Sequence, residues 1–183
     1  MNVEQLRAWN NEGLSLELGA PDLDEEQKPL LANVPKGGSI INRNEWPELG
    51  LEEWSLSNGN TIWVKQTEFQ SDRIHLSAIA PGGLRVAATE DYFSAFASNA
   101  IAWYSGLGEH DLQSLMNVLA GKKVQLQPYF QSGHHGFEGV CTREDLETML
   151  QLIFLYQGQA RFTEQGFSRD QDQRLEQVRR AKI

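Results

Sequence analysis

Apolar side chains from residue 51 onwards first recur with the spacing of a strand. Trp54 and Leu56 alternate with serines, and Ile62 and Val64 resume the alternation after Asn58-Gly59. Asn-Gly is a strong hairpin signal because both residues tolerate positive φ. The pattern therefore predicts a β-hairpin centred on this dipeptide.

Three further strands follow from the same alternation. One runs from Arg73 to Ala80 and is ended by Pro81-Gly82-Gly83. Another carries apolar residues at alternate positions from 124 to 130. After a turn predicted over 132–136, the segment 137–141 returns as its antiparallel partner.

Between and after these strands the apolar spacing becomes helical. Helices are predicted from Thr89 to about Tyr104, from Asp111 to Ala120, and from the capping sequence Thr142-x-x-Asp145 onwards. Ser168-x-x-Gln171 is predicted to cap a last helix. That helix is so polar that we expect its packing partners to lie outside this chain.

The order of elements predicts an α+β fold, with a mixed, largely antiparallel sheet and helices packed on one face. Residues 1–50 differ in composition, since they hold four of the six prolines, the Gly37-Gly38 pair and a run of acidic residues. We interpret them as a connector arm, with Val3 to Trp9 as the end of a helix and Ser39-Ile40-Ile41 as a short extended piece. The folded unit is then 51–183.

Charge and hydropathy exclude several classes of partner. The net charge is −9, and residues 1–60 contribute −7 of it, so neither nucleic acid nor an anionic membrane surface is expected as a partner. No run of 18 apolar residues occurs, so no membrane insertion is predicted. The N-terminus also lacks the basic-then-apolar pattern of a signal peptide.

The single cysteine, Cys141, is interpreted as a small buried hydrophobe.

The best candidate for a metal site is formed by His134, His135 and Glu138, which lie within five residues. Adjacent side chains in the predicted hairpin point to opposite faces, so this set is not expected to bind zinc.

His110 is predicted to be an exposed residue at a helix start, and His75 to lie on the less buried face of its strand. Trp63 lies on the strand face opposite Ile62 and Val64, and is a candidate contact to a neighbouring unit.

Five segments together resemble one unit of the pitrilysin/insulinase-type (M16) zinc peptidases. They are WSLSNG (54–59), SAIAPGGL (77–84), YSGLGEHDLQSLMNVLAGKKV (104–124), the strand pair around PYF (128–130) and EDLETMLQLIFLY (144–156). The resemblance implies repeated α+β units, of which one carries zinc and pairs of which close over an unfolded peptide. The chain is expected to be an incomplete unit of this kind, lacking the C-terminal part.

The chain departs from the family where a catalytic unit carries its zinc signature, H-x-x-E-H. Aligning Gly83-Leu84 with the family's turn places that signature near Ala95–Asn99, where no histidine or glutamate occurs. Two histidines on one helical face bind the metal and the glutamate activates water. No catalytic, cofactor-binding or metal residue is therefore assigned here, and zinc is expected in the catalytic unit of the parent protein.

The resemblance thus implies a non-catalytic structural and substrate-chamber unit of a zinc-dependent peptidase. Its partners would be other M16 units of the same parent chain and an unfolded peptide, and its location periplasmic or secreted. The alternative is a free-standing α+β protein-interaction module without peptidase activity. An independent metalloenzyme using His134, His135 and Glu138 is a third possibility.

Overall fold

The computed structural model describes residues 3–15 and 28–181. A first helix, α1, spans Val3–Ser15, longer than the sequence predicted. Sheet A follows as an antiparallel meander of β1 (Ile40–Trp46), β2 (Leu51–Leu56) and β3 (Thr61–Lys65), in that order. The predicted Asn58-Gly59 hairpin joins β2 and β3, with Gly59 at a φ of 85°.

Sheet B is a second antiparallel sheet, ordered β4-β6-β5. Its strands are β4 (Ile74–Pro81), β5 (Val124–Phe130) and β6 (His134–Cys141). The predicted turn over 132–136 was too long, because residues 134–136 already pair with both neighbouring strands. The two histidines therefore lie in strand β6 and not in a turn.

The two faces of sheet B follow from its register. Leu76, Gly139 and Leu126 lie opposite one another and face the helices, whereas Ser77, Glu138 and Gln127 form the next row on the exposed face. The predicted α+β class is confirmed, and all strand pairs in the described part of the chain are antiparallel.

Four more helices complete the described fold: α2 (Tyr92–Ser105), α3 (Leu112–Leu119), α4 (Leu146–Gly158) and α5 (Glu164–Ala181). A 3-10 turn over Thr89–Asp91 precedes α2, so the helix proper begins later than predicted. The predicted cap at Ser168 was wrong. Helix α5 already begins at Glu164, and the Thr163 hydroxyl accepts the Gly166 N–H at 3.0 Å.

The polar helix α5 has a partner within this chain, contrary to expectation. It packs along α2, and Gly166 lies so close that a Cβ there would collide with the Ser105 hydroxyl. Ser105 in turn accepts the Thr163 N–H at 2.9 Å. The close approach at Gly166 explains how so polar a helix is held against the unit.

The main core is built from leucines on several elements. Leu30 and Leu31, which lie in the predicted arm, are buried in one cluster with Leu107, Leu115, Leu152 and Leu155. In addition, β1 pairs with β2 across residue 50. Residues on both sides of the proposed boundary thus contact each other, and the division at residue 50 stays a prediction.

Candidate functional site

The turn after β4 is fixed against the β5–β6 hairpin. Gly82 donates its N–H to the Gly133 carbonyl at 3.0 Å, and Leu84 donates to Gln131 at 2.8 Å. Gly83 has a φ of 63°, and a Cβ at this position would collide with the Gln131 carbonyl oxygen. Glycine is therefore required twice over here, by conformation and by space.

The turn leads towards α2, the helix on which the resemblance would place a zinc signature. Residues 95–99 lie inside α2, as the alignment expected. Ser98 donates its hydroxyl to the Ala95 carbonyl at 2.7 Å, and the Arg174 guanidinium lies over the Phe96 ring at 5.6 Å. These side chains serve local helix bonding and packing, and the non-catalytic status of the unit stays a prediction.

The candidate metal set of His134, His135 and Glu138 is divided between two faces of β6. His135 packs on Phe130, and its Nδ1 accepts the Gly83 N–H at 3.3 Å. His134 lies on the other face, against Tyr129. Glu138 shares that face but is four residues away, about 13 Å at the ~3.3 Å rise of a strand. No group of three metal-binding side chains is found among the described residues.

His110 was predicted to be exposed, and this was wrong. It is 2% exposed, and its Nε2 and Nδ1 contact the Pro29 carbonyl and the Ser114 hydroxyl, each at 3.1 Å. The helix cap is made by its neighbour, Asp111, which accepts the Ser114 N–H at 2.8 Å. His75 does lie on the exposed face of β4, with its Nε2 3.2 Å from the Gln70 amide oxygen.

Cys141 and Asp145 lie beside the start of α4. Cys141 is fully buried, as predicted, and burial, together with the Asp145 carboxylate, raises the pKa of its thiol. Asp145 accepts hydrogen bonds from the Lys123 N–H at 2.9 Å and the Thr142 hydroxyl at 3.1 Å. The Lys123 bond is the largest cause that lowers the pKa of Asp145. Burial alone raises the pKa of Tyr156 to about 12.

Sheet B has two edges that pair with no other strand of the described chain, one on β4 and one on β5. Such edges present unpaired backbone N–H and C=O groups. The β5 edge carries Pro128, which has no N–H to donate. Ile79 on β4 is 71% exposed, so an apolar side chain is available beside the other edge.

Sequence reasoning missed the docking of the arm through His110. The one signal was the apolar pair Leu30-Leu31 directly after Pro29, in an otherwise acidic and proline-containing segment. The acceptor for His110 is a backbone carbonyl, and any residue could supply it.

The chain resembles parts of longer zinc proteases. It is 33% identical over 110 residues to a zinc protease PQQL-like protein of Arabidopsis thaliana, covering 59% of this chain and 12% of that protein. It is 25% identical over 151 residues to the probable zinc protease PqqL of Haemophilus influenzae, covering 80% of this chain and 16% of that one. The chain thus spans less than a fifth of either relative. No family model matches it.

Two solved structures share the fold. The periplasmic protease PqqL from Escherichia coli superposes with a TM-score of 0.75 at 16% identity, over 98% of this chain and 20% of that one. The ferredoxin protease FusC, crystallised as a mutant with Arabidopsis ferredoxin, gives 0.69 at 18% identity, over 93% and 19%. These relatives and structural neighbours are M16-type zinc proteases, and this chain is similar to a segment of these larger proteins. None of the described helices is long and apolar enough to cross a membrane.

Proposed function

We propose that this segment is a non-catalytic, substrate-chamber unit of a larger protein. That parent protein would be a zinc-dependent M16 peptidase, which hydrolyses the peptide bonds of its substrates. The observation that carries the proposal is the pair of open edges on sheet B. An extended peptide can add to such an edge as a further strand and bond through its backbone. The acting groups are therefore backbone N–H and C=O groups of β4 or β5.

The helix α2 supports the non-catalytic part of the proposal. Ala95, Phe96, Ala97, Ser98 and Asn99 stand where the family's zinc signature is expected. None offers an imidazole for zinc or a carboxylate to activate water. Zinc and the hydrolytic step would belong to another unit of the same parent chain.

Contact with that other unit is supported by large apolar side chains at the surface. Phe93 on α2 is 80% exposed and Trp63 on β3 is 66% exposed. The Trp63 indole N–H donates to Glu53 at 3.0 Å, which holds the ring on the strand face opposite Ile62. A periplasmic or secreted location is proposed by analogy with Escherichia coli PqqL, which is described as periplasmic.

Hydrogen exchange of the 183-residue chain with and without an extended decapeptide tests the proposal. Slower exchange of alternate β4 or β5 amides, with little change in the central strand β6, is the expected result. A matched peptide with N-methyl groups at alternate positions serves as the control, since it cannot donate its full set of backbone bonds. Equal protection by both peptides, or protection of neither edge, would contradict the proposal.

A further inference from the structure

A small cavity lies where the turn after β4 meets the β5–β6 hairpin. Its volume is about 280 Å³. The lining combines three apolar or aromatic groups with three polar ones, and consists of Leu84, Arg85, Ala87, Thr89, Tyr92 and Ser132. This cavity takes no part in the strand addition proposed above.

The walls of the cavity are fixed by backbone bonds. Arg85 donates its N–H to the Ser132 carbonyl at 2.9 Å, and Ala87 donates to Leu84 at 3.2 Å. Leu84 is 7% exposed and anchors a 3-10 turn over Gly83–Val86 in the core. A ligand entering here meets a preformed site and orders little backbone, which lowers the entropic cost of binding.

The polar groups of the cavity are available to a ligand. Within the described residues, the guanidinium of Arg85 makes no ion pair, and the hydroxyls of Thr89, Tyr92 and Ser132 make no side-chain hydrogen bond. Arg174, by contrast, is paired with Asp170 at 2.6 Å. Arg85 thus brings an unpaired cation together with three hydroxyl groups.

This combination suits a carboxylate. A guanidinium offers a planar fork of donors that matches the two oxygens of a carboxylate, and hydroxyls supply further donors. Arg85 is the single charged side chain of the lining, so the cavity balances the charge of a monoanion but only half that of a dianion such as phosphate. A single negative charge is therefore the better match.

The size and apolar lining point to one residue of a peptide. The cavity is slightly smaller than the ~300–1,000 Å³ typical of drug-sized ligands. Leu84, Ala87 and the Tyr92 ring give an aliphatic side chain apolar surface, while Arg85 and Ser132 lie beside its charged end. We infer that this cavity binds the C-terminal residue of a peptide, with the terminal carboxylate on Arg85. The inference rests on the proposed function only in taking that peptide to be a substrate.

A minimal probe tests the cavity independently of any peptide sequence. The ¹⁵N-labelled chain is titrated with N-acetyl-leucine and, separately, with N-acetyl-leucinamide, which lacks the carboxylate. Saturable shifts of the amide signals of Arg85, Thr89 and Ser132 are expected with the acid and not with the amide. Inorganic phosphate is the third probe, and we expect it to bind at least about tenfold more weakly than the acid.

Arg85→Gln is expected to weaken binding of N-acetyl-leucine by about tenfold or more, because a charge-assisted bond is lost. Arg85→Lys keeps the charge but not the fork, and should retain an intermediate affinity. Arg169→Gln, which removes a charge on the exposed surface of α5, is the matched control and should bind as the parent chain does.

The inference is overturned if N-acetyl-leucine and N-acetyl-leucinamide bind equally, or if neither binds. It is also overturned if phosphate binds as tightly as N-acetyl-leucine, or if Arg85→Gln binds N-acetyl-leucine with full affinity. The decapeptide exchange experiment reports separately on the strand edges. Protection of an edge without binding of N-acetyl-leucine would overturn only the inference about the cavity. Binding of N-acetyl-leucine without edge protection would support the inference about the cavity and contradict the proposed strand addition.

Discussion

The imidazole Nε2 of His110 lies 3.1 Å from the carbonyl oxygen of Pro29, 81 residues earlier in the chain. The second ring nitrogen lies 3.1 Å from the Ser114 hydroxyl. Both polar ends of a buried ring are therefore satisfied, and one of them holds the backbone directly before Leu30 and Leu31. The histidine thus ties the N-terminal arm to the leucine core.

Replacing His110 by alanine should destabilise the chain by about 2–3 kcal/mol, since it leaves buried polar groups without partners. Urea unfolding followed by circular dichroism measures the change in the free energy of unfolding. His75→Ala is the control, because an exposed substitution usually changes stability by no more than ~0.5 kcal/mol. Equal stability of the two variants would show that the Pro29 contact contributes little.

The leucine pair of the arm provides a second test of the same docking. Leu31 is 8% exposed within the core cluster, and Leu31→Ala should cost about 2–5 kcal/mol through lost burial and the cavity that remains. Val34 is 74% exposed, so Val34→Ala should change the unfolding free energy little. A Leu31→Ala chain as stable as Val34→Ala would mean that the arm is not docked in solution.

Gly83→Ala tests the fixed turn after β4. Alanine would adopt a left-handed φ and collide with the Gln131 carbonyl, so we expect a loss of at least about 2 kcal/mol, in the range of local backbone strain. Gly37→Ala is the control, since nothing lies within 4 Å of a Cβ there. It should be neutral or stabilise the chain by up to ~1 kcal/mol. Similar urea midpoints for both variants would contradict the predicted strain.

Local signals in the sequence predicted most of the fold. The Asn58-Gly59 hairpin and the strand alternation depend on neighbouring residues, which is why turn and periodicity rules find them. The helix predicted from Thr142-x-x-Asp145 forms, but it begins only at Leu146, and the predicted capping box was wrong because Asp145 makes no side-chain cap. The Thr142 hydroxyl instead donates to the Asp145 carboxylate at 3.1 Å.

Contacts between distant segments could not be predicted in the same way. His110 bonds to a backbone carbonyl, and the helix start at Thr163 is fixed by the contacts of Thr163 and Gly166 with Ser105 on α2. The cavity beside Arg85 depends on residue 132 lying against residues 84–92, a consequence of how the hairpin meets the turn. None of these pairs has a spacing that a single sequence reveals.

Asp145 should make stability depend on pH in the acid range. Its pKa lies below the ordinary aspartate value of 3.8, chiefly because the carboxylate accepts the Lys123 N–H. A carboxyl whose pKa is lower in the folded state stabilises the fold above the unfolded pKa, and this contribution is lost as the pH falls through the folded pKa. We therefore expect the difference in urea midpoint between the parent chain and Asp145→Asn to be constant near neutral pH and to shrink below about pH 4.

Asp172→Asn controls for the loss of one negative charge, since Asp172 lies exposed on α5. Its urea midpoint should run parallel to that of the parent chain over the same pH range. If Asp145→Asn also ran parallel, the bonds from Lys123 and Thr142 would not favour the ionised carboxylate.

We expect the purified chain to retain almost no zinc. The chain is dialysed against a chelator and exposed again to one equivalent of zinc, and elemental analysis then measures the zinc that it holds. His135 has its Nδ1 engaged by Gly83, and His134 and Glu138 are too far apart on their common face to share an ion, whose ligands lie about 2.0–2.2 Å from it. Retention of about one zinc per chain, lost again in His134→Ala or His135→Ala but kept in His75→Ala, would contradict this prediction. It would then favour the independent metalloenzyme over the chamber unit. A chain without retained zinc would direct the search for hydrolytic chemistry to another unit of the parent protein.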